Sequence, residues 1–101
     1  MNSIITKNID KIKQYCKAYK VKELYAIGSV LSDDFTDKSD IDLLIEFKPV
    51  SIDEYTDNYF ILLKLFKEMF NREVDLITRN SLNNPFFIES IESSKHLLYA
   101  G

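Results

Sequence analysis

The sequence predicts an α/β (α+β) domain, a small sheet of three core strands flanked by helices, and three observations carry that reading. Two long segments repeat apolar residues at helical spacing, three short apolar segments are too brief for helices, and the two kinds alternate along the chain. With 46% hydrophobic and 29% charged residues over 101 positions, the composition is that of an ordinary globular chain. That length sets the expectation of a single domain, residues 1–101, with one real core.

The first helix is expected over about residues 6–19. Ile5, Ile9, Ile12, Cys16 and Tyr19 fall on one helical face, while Lys13, Lys17 and Lys20 share the adjacent one. That lysine face reads as solvated surface, with a partner or phosphate patch as the other reading. Residues 23–27 form a short buried strand that stops at Gly28, and residues 30–39 read as a loop with about one helical turn. Residues 41–47 form the second strand, ended by Pro49. Alternation puts Ile41, Leu43, Ile45 and Phe47 on one face and Asp40, Asp42, Leu44 and Glu46 on the other.

A long helix follows over about 52–71, with Ser51 as N-cap and Asp53 and Glu54 in its first turn. Tyr59, Leu62, Leu63, Phe66, Met69 and Phe70 make its core face. Ile61 and Leu65 widen that face, and Phe60 lies outside it, so the helix is more apolar than one covered stripe requires. Other helices of the chain, a partner protein or a second copy in a homo-oligomer would cover the surplus. Residues 73–77 form the third strand, with Asp75 opposite Val74 and Leu76. Asn84-Pro85 opens a last helix to about Ser93, and residues 96–100 read as a short edge strand. The expected sheet is covered largely on one face.

Net charge is −3, unevenly spread. Residues 1–22 carry six lysines against one acid, Asp10, which leaves the remainder at about −8. An acidic body argues against wrapping a long nucleic acid, which needs many cationic phosphate contacts. No apolar run reaches membrane-spanning length, and residues 1–7 lack the layout of a signal peptide. The lone Cys16 excludes an internal disulfide and fits a reducing cytoplasm.

Glycine usage is the sharpest single observation. The chain has two, and Gly28 is the only internal one, set between a strand and Ser29. Glycine there permits a sharp turn and close approach of a ligand to the main chain, and Ser29 offers a hydroxyl and an N–H to a phosphate oxygen. Alone, Gly-Ser is a common turn. Asp40-x-Asp42 adds two carboxylates on one side of a strand, whose repulsion is relieved by raised pKa values or by cations. Hard divalent cations such as Mg2+ take ligands of this kind together with substrate phosphates. Asp75 supplies a third carboxylate on another apolar strand, and convergence of all three on one sheet face would imply cation binding.

Gly28-Ser29, ten residues, then Asp40-Ile-Asp42, with the later Val-Asp-Leu-Ile around Asp75, resembles the DNA polymerase β-type nucleotidyltransferase superfamily. Within it the resemblance is to minimal nucleotidyltransferase domains, often antitoxins paired with HEPN-domain toxins, and it covers about residues 7–99. The resemblance implies the nucleotidyltransferase fold with a mixed sheet in strand order 1-2-3. It also implies two Mg2+ ions and transfer of a nucleoside monophosphate from a triphosphate such as ATP. Carried over, Gly28 and Ser29 hold the triphosphate and Asp40 and Asp42 ligate the metals. Asp75 ligates the nucleotidyl-site metal and helps activate an acceptor hydroxyl. Many relatives follow Gly-Ser with a small residue and then Arg-Gly, whereas this chain has Val30-Leu31-Ser32-Asp33-Asp34. The usual cation is missing, with Lys38 and Lys48 as candidate replacements.

Other chemistries find no support. The chain lacks a P-loop, and one internal glycine cannot build a dinucleotide-binding motif. His96 and Cys16 cannot make a zinc site, and Ser29 with His96 lacks a nucleophile-elbow sequence. Two functions follow from the motif: adenylylation of a HEPN-type partner protein, or a non-catalytic antitoxin that neutralises that partner by occlusion. An enzyme that modifies a small molecule is weaker, because 101 residues leave little room for a substrate-binding region.

Overall fold

The computed structural model describes residues 3–101. Two short helices, α1 (Ser3–Thr6) and α2 (Ile9–Ala18), precede β1 (Val21–Ile27). A 3-10 turn (Gly28–Leu31) and a loop lead to β2 (Ile41–Phe47), the long α3 (Ile52–Phe70) and β3 (Val74–Thr78). After a second 3-10 turn (Arg79–Ser81) come α4 (Pro85–Ser94) and β4 (His96–Ala100).

The expected first helix is broken in two. Asn8 sends its side-chain amide to the Ile4 carbonyl (2.8 Å) while its backbone N–H turns to Ile5 (3.1 Å). The side chain thus takes the acceptor that a continuous helix would give to the main chain. The apolar stripe survives the break, with Ile5, Ile12 and Cys16 buried.

The sheet is mixed and has four strands rather than three, in the order β3-β2-β1-β4. The expected 1-2-3 order holds, with β1 antiparallel to β2 and β2 parallel to β3. The fourth strand is the segment read as a short edge strand; it runs antiparallel along the free side of β1. Gly101 N–H extends that pairing to the Lys22 carbonyl (2.8 Å). β1 also starts earlier than expected, because Lys20 at φ 64° turns the chain directly from α2 into the sheet.

Alternation along β2 divides the molecule. Ile41, Leu43, Ile45 and Phe47 enter the main core with Leu24 and Ala26 of β1, under Ile12 and Cys16 of α2 and Leu62, Phe66 and Phe70 of α3. Leu44 faces the other way and forms a small second cluster with Ile27 and with Ile91 of α4. The second face is therefore partly covered by α4, beyond the single covered face the sequence suggested.

Helices α3 and α4 begin as the sequence dictates. Ser51 accepts from the Glu54 N–H (3.2 Å), and Asn84, followed by Pro85, accepts from Phe86 (3.0 Å) and Phe87 (3.3 Å). The apolar surplus of α3 is left uncovered by the chain itself: Phe60 is 61% and Ile61 40% exposed. No helix among the described residues is long and apolar enough to cross a membrane.

Candidate active site at the strand ends

Gly28 closes β1 at φ 73°, a backbone conformation that side chains with a Cβ rarely adopt. The pairing of Ile27 with Asp42 brings the Asp42 carboxylate against that turn. A Cβ built on Gly28 would sit 2.6 Å from Asp42 Oδ2. The only internal glycine is thus required twice, by the turn and by the carboxylate beside it.

Asp42 and Asp75 are register partners on the parallel β2–β3 pair, so their side chains stand next to each other on one face. Asp40 lies one position before β2 and is exposed. The Asp42 carboxyl is raised above the usual carboxylate range, first by burial, then by the negative charges of Asp75 and Asp40. The three expected carboxylates therefore press on one another. They do not stand preformed as a metal cage: among the described residues no group of three acidic, histidine or cysteine side chains does. Unscreened carboxylates repel, and Mg2+ ordinarily takes only one or two of them, completing its shell with phosphate oxygens and water.

Ser29 lies in the 3-10 turn, half-buried, and its hydroxyl makes no hydrogen bond among the described residues. Its carbonyl accepts from the Ser32 N–H (3.0 Å) and hydroxyl (3.1 Å), which tightens the turn. The departure from the family pattern has a structural role here. Val30 is fully buried and Leu31 half-buried against the main core, so the stretch that replaces the arginine anchors the turn from beneath. Neither candidate replacement cation is held at the site. Lys48 follows the far end of β2, about 20 Å along the strand from Asp42, and Lys38 is exposed in the loop.

A cleft of about 230 Å3 opens at the strand ends, between Gly28, Asp42 and Asp75 on the sheet side and Phe87, Ser90 and Ser94 on α4. Helix α4 is fixed over the sheet by Ile91 and by an ionic cluster. Arg79 bridges Glu92 (3.3 Å) and Glu46 (3.9 Å), and Lys95 pairs with Glu92 (2.7 Å) while lying over the Tyr25 ring. Glu46 of this cluster lies toward the opposite end of the same β2 face from Asp42.

Two contributors escaped the sequence reading. Arg72, in the turn between α3 and β3, donates from one guanidinium nitrogen to the carbonyls of Thr36 (3.1 Å) and Ser39 (2.9 Å), and its guanidinium lies 4.6 Å from the centre of the Phe35 ring. It braces the loop that delivers Asp40. Its only sequence signal is an isolated arginine before a strand, which carries no spacing pattern. Tyr59 was legible as a core residue but not as an anchor: its hydroxyl donates to the Leu76 carbonyl (2.6 Å), adjacent in sequence to Asp75. Burial and then the Asp75 charge raise the Tyr59 phenol.

Comparison with known proteins bears on the family and the fold. The nucleotidyltransferase domain family profile matches residues 9–98. Two Methanocaldococcus jannaschii proteins, each named "Putative protein adenylyltransferase", are similar in sequence. One is 35% identical over 73% of this chain and 73% of its own length, the other 36% identical over 79% of both. Among solved structures, one described as a "putative minimal nucleotidyltransferase" superposes with TM-score 0.70 at 17% identity, covering 95% of each chain. A chain of a toxin–antitoxin crystal structure with AMP-PNP gives 0.71 at 18% identity, covering 93% of this chain and 74% of that one. A chain from a complex of tri-AMPylated Shewanella oneidensis HEPN toxin with MNT antitoxin gives 0.65 at 16% identity, over 95% of this chain and 72% of that one. These structural likenesses concern the fold. The family match over most of its length and the relatives above a third identical show that this chain belongs to the nucleotidyltransferase domain family.

Proposed function

We propose that the chain transfers AMP from ATP to a hydroxyl of a partner protein, a HEPN-domain toxin, in the cytoplasm. The in-register pair Asp42 and Asp75 beside the Gly28 turn is the observation that carries this reading. Gly28 and Ser29 hold the triphosphate, with the main chain open to close approach and a free hydroxyl on Ser29. Asp40, Asp42 and Asp75 would hold two Mg2+ ions; an all-oxygen donor set in which burial and then the charges of Asp75 and Asp40 raise the Asp42 carboxyl fits a hard divalent cation. Bound there, the ions supply charge neutralisation for the attacking and leaving oxygens.

The acceptor oxygen forms a bond to the α-phosphorus as the bond to the bridging oxygen breaks, and pyrophosphate leaves. Asp75 orients the acceptor hydroxyl and takes its proton. Catalysis of this type is mostly positioning and electrostatics, which a small, rigid strand-end site provides. The relatives named for protein adenylylation and the solved complex holding an AMPylated HEPN toxin support this choice of acceptor. The test is label transfer from α-labelled ATP with Mg2+ to a co-purified HEPN partner. Label on the partner, lost in Asp42→Asn, is expected; absence of transfer with every metal and nucleotide tried would refute the activity.

A second reading is favoured by Leu31 standing where relatives place arginine and by the uncovered Phe60 and Ile61. The chain would then neutralise its partner by occlusion. The double variant Asp40→Asn/Asp42→Asn decides between the two, since occlusion still protects cells from the partner without the carboxylates.

A further inference from the structure

We propose that the cleft between α4 and the strand ends is the nucleoside subsite, with Phe87 stacking against the purine base. The inference rests on the nucleotidyl-transfer reading above and deepens it. The α4 wall is built from Phe87, Ser90, Ile91 and Ser94, spaced as one helical face. Ile27 and Ile77 supply an aliphatic floor. No lysine or arginine lines the cleft, and two carboxylates stand at one end of it. Away from that aspartate end, where the ions would sit, no lining residue compensates a triphosphate, so the charged part of the nucleotide belongs at the Gly28–Ser29 and aspartate end and the uncharged part lies along α4.

The lining fits such a group. Phe87 is half exposed beside a space of about 230 Å3, large enough for a base with part of its ribose. An aromatic ring over an aliphatic floor, with hydroxyls at the rim, is the usual lining for a planar heterocycle that carries polar edges. Ser90 has its carbonyl occupied by the hydroxyls of Ser93 (3.0 Å) and Ser94 (2.8 Å), while its own hydroxyl makes no hydrogen bond among the described residues. The helix turn that carries the ring is also held in place. Asn84 caps the Phe87 N–H, and Ile91, one turn on, is buried against Ile27 and Leu44. Neighbouring Phe86 is 82% exposed and does not line the cleft, which makes it an internal control.

Calorimetric titration with Mg2+ and two probes, α,β-methylene-ATP and inorganic tripolyphosphate, separates the subsites. Phe87→Ala is expected to weaken the ATP analogue about tenfold, within the range of one base–aromatic stack, and to leave tripolyphosphate unchanged. Phe87→Trp retains the analogue affinity, and Phe86→Ala matches the wild type. Equal analogue affinity in wild type and Phe87→Ala, both folded by circular dichroism, overturns the proposal. So does a Phe87→Ala protein that binds the analogue normally but transfers poorly, because the cleft then serves the acceptor. Failure of wild type to bind tripolyphosphate counts against the Gly28–Ser29 assignment instead, and the Phe87 comparison on the analogue still decides the nucleoside subsite.

Discussion

The two faces of the sheet are made by alternate residues of the same strands, yet they do opposite work. On one face Ile41, Leu43 and Ile45 are sealed beneath α2 and α3. On the other, Asp42 stands beside Asp75 and is pressed by Asp40, next to a small apolar cluster of Ile27, Leu44 and Ile91. A strand period of two lets one segment stabilise the fold through its odd positions while its even positions hold repelling charge. Stability stored on the first face carries the strain of the second.

The contrast is broken most severely from the core side. Phe66→Ala removes a fully buried ring that meets Tyr15 and Phe70 and is expected to cost about 3–5 kcal/mol, read as a lowered urea midpoint. Asp42→Asn should do the reverse. Transfer activity falls about 10²-fold or more, the scale of losing a principal electrostatic group, while the metal-free protein becomes more stable at neutral pH. A variant that loses both activity and stability would show that Asp42 supports the fold rather than strains it.

Gly28→Ala tests the junction of the two faces. A Cβ at φ 73° and 2.6 Å from Asp42 Oδ2 should cost about 1–2 kcal/mol in thermal or urea unfolding. It should also weaken metal binding by displacing the carboxylate. The pH dependence of stability sharpens the same point. Because the folded Asp42 pKa lies above its unfolded value, the native state binds the proton more tightly. Its contribution therefore favours the fold at low pH and is lost as pH rises through the carboxylate range. Asp42→Asn should flatten that part of the metal-free profile. The smallest effect is chemical: burial pushes the Cys16 thiol up to about 12, so a thiol reagent at pH 8 should label the native protein only at the rate of unfolding.

Much of this division was legible in the sequence because it depends on local pattern. Alternation over residues 41–47 assigns both faces of β2, and Ser51 and Asn84-Pro85 mark helix starts through caps that involve neighbouring residues. Gly28 stood out because no other internal glycine exists. What escaped depends on partners distant in the chain. Arg72 acts on carbonyls at residues 36 and 39, and Tyr59 on the carbonyl at residue 76. The break at Asn8 arises from a side-chain bond that competes with a helix whose apolar periodicity continues across it. The fourth strand gains its place by pairing with β1, some seventy residues away in sequence.

The most direct measurement is an Mn2+ titration followed by electron paramagnetic resonance, with and without a non-hydrolysable ATP analogue. If the aspartate face is a metal–nucleotide site, the wild type binds two ions per chain in the presence of the analogue. Asp75→Asn then loses one of them, and Asp40→Asn/Asp42→Asn loses both. Identical Mn2+ binding by the wild type and the double variant would contradict the assignment of this face to metal-assisted nucleotidyl transfer.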